Sequence, residues 1–241
     1  FANLLERQAR IEVSGVLLPP IAAPSRLGYR NKITLHSGAS GLLGYFAEDN
    51  ETVIDVESCP LAAPPLNTLL ADLRKQPDFL KALKPDTTVT LRYTKADGAL
   101  YWCGRAGADE PALTESTSTG DVKVPRGGFF QVNPAVAAEL VNHLVEMMKK
   151  VQPEAVIDLY CGVGVFALAA GAAGINQVFG ADSDKRAIRA ACQNAQTRNV
   201  TNTQFISAPA NEGLRRALRQ IRSDKTALIV DPPRVGLEKI V

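Results

Sequence analysis

The sequence predicts an α/β fold, with a doubly wound parallel sheet in its second half and an α+β region of antiparallel strands in its first half. Period-two alternation of apolar residues marks residues 29–36 and 89–93, whereas helical and strand patterns alternate after residue 133. A glycine-bearing loop at 160–165 joins one of those strands to the next helix. Because such sheets bind ligands at the carboxyl ends of their strands, we expect the functional site there.

Composition restricts the class of protein. The chain has 241 residues, of which 46% are hydrophobic, enough for one or two globular domains. No apolar run approaches the roughly 20 residues that span a bilayer, so we expect a soluble, cytoplasmic protein with no membrane partner. Its four cysteines contain no Cys-x-x-Cys pair, which favours reduced thiols. The net charge of +2 leaves a nucleic-acid partner undecided.

The first half predicts helices around a small antiparallel sheet. Residues 1–12 have the spacing of a short amphipathic helix, with apolar positions at Phe1, Leu4 and Ile11. Residues 64–83 predict a helix that Pro77 interrupts. Residues 104–120 have no apolar period and predict a loop or weak edge strands. The predicted strands are Tyr29 to His36, Leu42 to Ala47, Thr52 to Val56, Val89 to Tyr93 and Leu100 to Cys103, the last two forming a hairpin.

The second half alternates helices and strands. Asn133 and Pro134 supply an N-cap and a first-turn proline, and apolar residues then recur at helical spacing to Met148. Further helices are predicted near Val165 to Gly174, at Asp184 to Arg198 and at Asn211 to Ile221. The predicted strands are Ala155 to Tyr160, Gln177 to Asp182, Thr203 to Ser207 and Ala227 to Asp231.

The strongest chemical signal is the loop Asp158-Leu159-Tyr160-Cys161-Gly162-Val163-Gly164. Its two glycines permit a tight turn and close approach of the backbone to a ligand. With Asp182 about 20 residues on, the loop also fits a dinucleotide-binding fingerprint. Asp158, which interrupts an apolar run, favours a ligand with a cationic amino-acid tail over a nicotinamide cofactor. The acidic, rigid Asp231-Pro232-Pro233-Arg234 lies where a methyl acceptor would sit.

Three segments carry a resemblance to a known family. Gly128-Phe129-Phe130-Gln131-Val132-Asn133, then Asp158 to Gly162, then Asp231 to Arg234 resemble the RNA 5-methyluridine (uracil-5) methyltransferases of the RumA and TrmA kind. The Phe-Gln-Val-Asn signature is specific to that family, and the glycine loop is general to methyltransferases. Residues 28–32 and 54–61 also resemble its central domain. The resemblance implies a truncated, Rossmann-like class I domain that depends on S-adenosylmethionine, preceded by the α+β central domain.

The resemblance also implies roles for individual residues. Phe129 and Arg234 would face the target base, which enters by flipping out of its stack. Cys59 matches a lone iron-sulfur ligand of the ribosomal-RNA branch, so we expect a 4Fe–4S cluster only in a full-length parent and favour rRNA, 23S in particular, over tRNA. The residues expected to bind S-adenosylmethionine are Gln131, Asp158, Tyr160, Gly162, Gly164, Asp182 and Asp231.

The chain also departs from the family pattern. Val165 and Pro209 replace residues that hydrogen-bond the cofactor, with Asn211 as a substitute for the second. The family's nucleophilic cysteine lies in a later Ser-Cys-Asn/Asp-Pro segment, so we expect it beyond Val241 and no catalytic residue within this chain. We therefore expect an internal part of a longer enzyme, itself inactive.

We predict a central domain at 1–122, whose helix at 1–13 packs on a methyltransferase domain at 123–241. Two alternatives stay open. One is a methyltransferase acting on a nucleobase amino group, although Arg234 stands where such enzymes carry an aromatic residue. The other is a non-catalytic RNA-binding or assembly module that retains the scaffold. Cofactor affinity would separate the second from an enzyme core.

Overall fold

The computed structural model describes residues 19–107, 110–234, 236 and 237, and within the amino-terminal segment residues 3, 5–10, 12, 13 and 17. That segment contains a π-helical turn, Leu5–Ala9, where the sequence predicts a short amphipathic helix. Three apolar positions behind the prediction, Phe1, Leu4 and Ile11, lie outside the described residues. Within the described part of the chain, no helix is long and apolar enough to cross a membrane.

An antiparallel sheet of five strands forms the first half, in the spatial order β3-β2-β1-β4-β5. All its pairings are antiparallel, which confirms the predicted meander and hairpin. A 3₁₀ turn, Ala39–Gly41, joins the first two strands. The strands are β1 (Lys32–Ser37), β2 (Leu43–Phe46), β3 (Val53–Asp55), β4 (Thr88–Thr94) and β5 (Gly98–Cys103).

The two faces of this sheet differ in polarity. Helix α1 (Pro64–Arg74) packs its leucines against one face, where Ile33 and Leu35 of β1 are buried. Helix α2 (Pro77–Ala82) begins at the proline that was predicted to interrupt the helix. The opposite face carries the alternate, polar side chains of β1 and β4. The sheet therefore presents its polar face away from the α1 core.

A separate hairpin connects this sheet to the rest of the chain. Strands β6 (Leu113–Thr117) and β7 (Gly120–Val124) pair only with each other among the described residues. Their inward positions include Glu115, which breaks the apolar alternation and explains why the sequence predicts only a loop or weak edge strands here. The predicted boundary between residues 122 and 123 falls inside β7, and the division into domains stays a prediction.

The second half is a parallel sheet of four strands in the order β10-β9-β8-β11. Every pairing is parallel, and helices pack on both faces, as predicted for a doubly wound sheet. Asn133 caps the first helix by accepting a hydrogen bond from Val136 N at 3.2 Å. The elements in order are α3 (Pro134–Val151), β8 (Ala155–Leu159), α4 (Val165–Ala172), β9 (Gln177–Asp182), α5 (Lys185–Thr197), β10 (Thr203–Ser207), α6 (Ala210–Gln220) and β11 (Thr226–Val230).

Candidate functional site

The order of the parallel strands reverses at β8. The chain proceeds from β8 to β9 and β10 on one side, and β11 then returns to the other side of β8. Such a reversal opens a crevice at the carboxyl ends of the strands, because the connections diverge there. Three predicted residues lie at this edge: Tyr160 follows β8, Asp182 ends β9 and Asp231 follows β11.

The loop after β8 has a left-handed backbone at three places. Gly162 and Gly164 have φ of +54° and +86°, and Tyr160 has φ of +63°. For a bulky residue this conformation costs about 1–2 kcal/mol, so the surrounding structure holds Tyr160 there. A Cβ on Gly162 would meet nothing within 4 Å, whereas one on Gly164 would lie 2.9 Å from the ring of Phe205. Gly162 thus keeps the crevice open, and Gly164 permits tight packing beneath it.

Asp182 ties the loop to the next helix. Its Oδ2 accepts a hydrogen bond from Gly162 N at 2.9 Å, and its Oδ1 accepts one from Asp184 N at 2.8 Å. Asp184 in turn caps α5 by accepting from Arg186 N and Ala187 N. The carboxylate of Asp182 is therefore fixed in place, and it remains half-buried at the wall of the crevice.

Asp158 lies in the middle of this edge but is fully buried. Its Oδ2 accepts a hydrogen bond from Ala167 N at 3.0 Å, while its Oδ1 has no partner among the described residues. Burial, together with the charges of Asp231 and Asp182, raises the pKa of Asp158 to about 8. The side chain of Asp158 therefore caps the first turn of α4. This is a structural role, and it differs from direct contact with a ligand.

Two adjoining cavities form the crevice, the larger with a volume of about 440 Å³, within the range of small-molecule sites. Phe129 stands at their mouth with 75% of its surface exposed. The hydroxyl of Tyr160 is buried without a partner among the described residues. Neither Asp158 nor Gly164 lines these cavities. The residues that line both are Phe129, Gln131, Tyr160, Gly162, Val163 and Asp231.

A buried polar network holds the Phe129–Gln131 segment. Arg92 on β4 donates from Nε and Nη2 to Glu115 Oε1 at 3.0 and 2.7 Å, and from Nη1 to the carbonyl of Gly128 at 3.4 Å. Asn31 Nδ2 donates to both oxygens of Glu115, and its backbone N donates to the carbonyl of Val132 at 3.0 Å. The network therefore joins the antiparallel sheet, the hairpin and the segment that borders the crevice.

Neither Arg92 nor Glu115 was predicted from the sequence to be a site residue. Both are 3% exposed or less, although charged side chains are rarely buried unless paired. The local pattern gave no signal of this burial, because Arg92 alternates with Thr90 and Thr94 on the polar face of β4, where an exposed charge is ordinary.

Asn194 is a second residue that the sequence reasoning missed. Its side-chain amide accepts from Lys123 N at 2.7 Å and donates to the Lys123 carbonyl at 3.0 Å, so it continues the β7 strand edge as a partner strand would. It also donates to the Val163 carbonyl at 3.2 Å. One buried amide thus attaches the hairpin and the glycine loop to α5.

The remaining residues named from the sequence have different positions relative to the crevice. Arg234 is exposed beyond Pro232 and Pro233, which do line it. Cys59 is buried in the α1 core of the antiparallel sheet. The described residues contain no group of three metal-ligating side chains. Val165 lines the smaller cavity, and Pro209 precedes α6 without capping it. Asn211 Oδ1 accepts from Glu212 N at 2.6 Å.

Cys161 lines the smaller cavity, yet its thiol is poorly suited to nucleophilic attack. Burial raises its pKa well above the usual value, and the charges of Asp158 and Asp182 raise it further. Because the thiolate is the reactive form, a thiol in this environment is inert. We therefore interpret Cys161 as a packing residue.

Comparison with solved structures gives the fold, and a family model gives the family. The fold matches the Pyrococcus abyssi tRNA (uracil-54, C5)-methyltransferase, solved in complex with S-adenosyl-L-homocysteine, with a TM-score of 0.75 over 99% of this chain and 67% of that one at 21% identity. The fold is that of an S-adenosylmethionine-dependent methyltransferase. A model of the tRNA (Uracil-5-)-methyltransferase family matches residues 120–241. The chain belongs to this family.

Curated relatives extend the similarity across the chain. An uncharacterised RNA methyltransferase of Thermosynechococcus vestitus is 27% identical over 93% of this chain and 61% of its own length. A 23S rRNA (uracil(1939)-C(5))-methyltransferase of Pseudomonas fluorescens is 26% identical over 92% of this chain and 56% of its own length. The chain thus spans somewhat more than half the length of these two relatives.

Proposed function

We propose that this chain forms the cofactor-binding and base-binding part of an enzyme that methylates carbon 5 of uracil in RNA, with S-adenosylmethionine as the methyl donor. The observation that carries the proposal is a pair of acidic residues, Asp182 and Asp231, that line one crevice, with the carboxyl group of Asp158 buried behind it. Asp158, Asp182 and Asp231 are close enough for the charges of the latter two to raise the pKa of the first. Such a site attracts a cationic ligand.

The crevice fits S-adenosylmethionine on two further grounds. The Tyr160 hydroxyl belongs to a residue that lines the crevice, and it is a buried polar atom without a partner among the described residues, whereas such atoms ordinarily have one. The ligand carries an ammonium group and hydroxyls that would supply partners, and its sulfonium presents the methyl group for transfer. Gln131, Tyr160, Gly162, Asp182 and Asp231 would contact it. Asp158 would act from behind the crevice by losing its proton when the cationic group binds, and Gly164 would act through packing against Phe205.

The same crevice provides a position for the base. Phe129 is exposed beside Asp231 at the mouth, where its ring offers a flat apolar surface to a flipped base. Pro232 and Pro233 also line the crevice, and Arg234 is exposed directly after them. Methylation at carbon 5 requires a thiolate that adds to the neighbouring ring carbon. Since the Cys161 thiol is inert, we infer that Cys161 does not supply that nucleophile.

Cofactor binding tests the proposal. We expect S-adenosyl-L-homocysteine to bind, and Asp182→Ala to weaken binding by about 1–3 kcal/mol, as for loss of a charged hydrogen-bond partner. Isothermal calorimetry measures both. Asp224→Ala is the control, because Asp224 is exposed just before β11, at the other end of the sheet. Equal affinities of the unmodified chain and Asp182→Ala would refute the assignment of Asp182, and no binding by the unmodified chain would refute the cofactor site.

We further propose that the natural substrate is ribosomal RNA, 23S rRNA in particular, and not transfer RNA. Cys59 supports this choice, since it matches an iron-sulfur ligand position of the ribosomal-RNA branch of the family. In a competition assay, we expect an unmodified 23S rRNA segment to displace labelled RNA from the chain at lower concentration than a transfer-RNA T-arm does. The reverse order would contradict the proposal.

A further inference from the structure

A third cavity, of about 390 Å³, lies on the polar face of the antiparallel sheet. Lys32, Arg105 and Arg186 line it, together with Thr90 and the largely buried Trp102, and none of its lining residues is acidic. It shares no lining residue with the crevice described above. Three cations around one cavity make it a candidate site for an anion.

Lys32 is the central cation of this cavity. It starts β1 and lies directly across from Arg92 on β4. Partial burial lowers the pKa of Lys32, and the charge of Arg92 lowers it further. Glu115 neutralises Arg92, but no carboxylate lies within 4 Å of the Lys32 ammonium in the described part of the chain. A bound anion would offset the repulsion between the charges of Lys32 and Arg92.

The other two cations come from different elements. Arg186, in the first turn of α5, donates from Nη2 to the carbonyl of Gly107 at 3.1 Å, which fixes its guanidinium beside the cavity. Arg105 is exposed in the segment after β5. Arg126, nearby in the chain, is instead paired with Glu110 at 2.7 Å and does not line the cavity. Cations from three separate segments of the chain therefore line one cavity.

The cavity adjoins the crevice. Gly127 lines the cavity and Gly128 the crevice, and likewise Arg186 lines the cavity and Ala187 the crevice. Consecutive Cα atoms are about 3.8 Å apart, so the two spaces are separated by little more than one backbone. A strand that places one base in the crevice would bring its neighbouring phosphates close to this cavity.

We propose that the cavity lined by Lys32, Arg105 and Arg186 binds a backbone phosphate of the RNA strand whose target base enters the crevice. The inference rests on the proposed function. Phosphate contacts by lysine and arginine fix the register of a nucleic acid without reading its sequence. The cavity therefore serves to position the substrate, next to a crevice that binds cofactor and base.

The test is RNA binding, measured by fluorescence anisotropy with a labelled single-stranded RNA of about 12 nucleotides at several KCl concentrations. We expect Lys32→Gln and Arg105→Gln each to weaken binding about three- to tenfold. The slope of log K against log salt should become shallower by about 0.7, the value for one single-strand phosphate contact. Lys32→Arg, which keeps the charge, should retain most of the affinity.

Lys75→Gln is the matched control. It removes the same charge, but Lys75 follows α1 on the opposite side of the sheet and is already paired with Asp72. An unchanged RNA affinity in both cavity variants, or an equal loss in Lys75→Gln, would overturn the proposal.

Competition by inorganic phosphate is a second test. The proposal is supported if inorganic phosphate displaces the RNA from the unmodified chain but not from Lys32→Gln. If inorganic phosphate binding depends on Lys32 while RNA binding does not, the site is a free-phosphate site and the proposal fails.

Calorimetry with S-adenosyl-L-homocysteine on the same variants separates the two hypotheses. We expect Lys32→Gln and Arg105→Gln to bind it as the unmodified chain does, because neither residue lines the crevice. A chain that binds RNA through Lys32 but never binds S-adenosyl-L-homocysteine would overturn the proposed function and leave the phosphate site standing.

Discussion

Asp158 shows how one buried carboxyl group can act on a ligand that it does not face. At neutral pH it is mostly protonated, because its pKa is raised to about 8 by burial and by Asp231 and Asp182. A cation bound in the crevice favours the ionised form and lowers that pKa. Cofactor binding should therefore be coupled to the loss of a proton from Asp158.

This coupling gives a prediction at pH 7. Binding of S-adenosyl-L-homocysteine, through its ammonium group, should release up to about one proton, seen in calorimetry as an enthalpy that differs between phosphate and Tris buffers. Asp158→Asn cannot ionise and should show the same binding enthalpy in both. A buffer-independent enthalpy for the unmodified chain would contradict the role of Asp158.

The same group has a defined effect on stability. The folded-state pKa of Asp158 is about 8, above the ordinary value of 3.8. Between these two pH values the folded chain keeps a proton that the unfolded chain has lost. The stabilisation from this group is therefore complete below about pH 4 and is lost as the pH rises through about 8. In Asp158→Asn that contribution to the pH dependence disappears.

At the scale of elements, the Arg92–Glu115 pair connects strands β4 and β6. Its side chains are 1% and 4% exposed, so each charge depends on the other for solvation. Burial raises the pKa of Glu115, and Arg92 opposes that rise. Breaking a buried pair by removing one charge costs more than removing both, because the remaining charge stays buried without a partner.

We expect Glu115→Gln to lower the free energy of unfolding by about 3–5 kcal/mol, measured by urea denaturation. Glu146→Gln makes the same chemical change in an exposed pair with Lys149 and should change the free energy of unfolding far less. The double variant Arg92→Met, Glu115→Leu should recover part of the stability, because no unpaired charge remains although Asn31 Nδ2 loses its acceptor. It should still bind S-adenosyl-L-homocysteine more weakly, since Arg92 no longer holds the Gly128 carbonyl. Full affinity in the double variant would show that the pair has no positioning role.

At the scale of the whole molecule, the hairpin of β6 and β7 connects the antiparallel sheet to the parallel sheet. Glu115 on β6 reaches the polar face of the antiparallel sheet, and β7 is attached to α5 by Asn194. The Phe129–Gln131 segment follows the hairpin in the chain, and Arg92 and Asn31 hold its neighbours Gly128 and Val132. The crevice and the cavity lined by Lys32, Arg105 and Arg186 adjoin at residues 127 and 128.

The sequence by itself determined the local elements and the edge at which the site lies. The strands 177–182 and 203–207 have the bounds predicted from periodicity, and Asn133 and Pro134 start their helix as predicted. These features depend on residues a few positions apart, which a repeat of two or 3.6 residues records directly. The glycine loop and the two acidic strand ends likewise predicted the crevice, because parallel strands bring their carboxyl ends together.

Only the tertiary structure decided which side chains of those elements pair and which ones pack against each other. Asn31 and Glu115 are 84 positions apart, and Lys123 and Asn194 are 71 apart, yet each pair is hydrogen-bonded. No local period encodes such contacts, since either partner alone resembles an ordinary polar residue. For the same reason the sequence did not distinguish Gly164, which packs against Phe205, from Gly162, which keeps the crevice open. Burial and long-range pairing are properties of the folded chain, and they gave Asp158, Arg92 and Lys32 their distinct electrostatic roles.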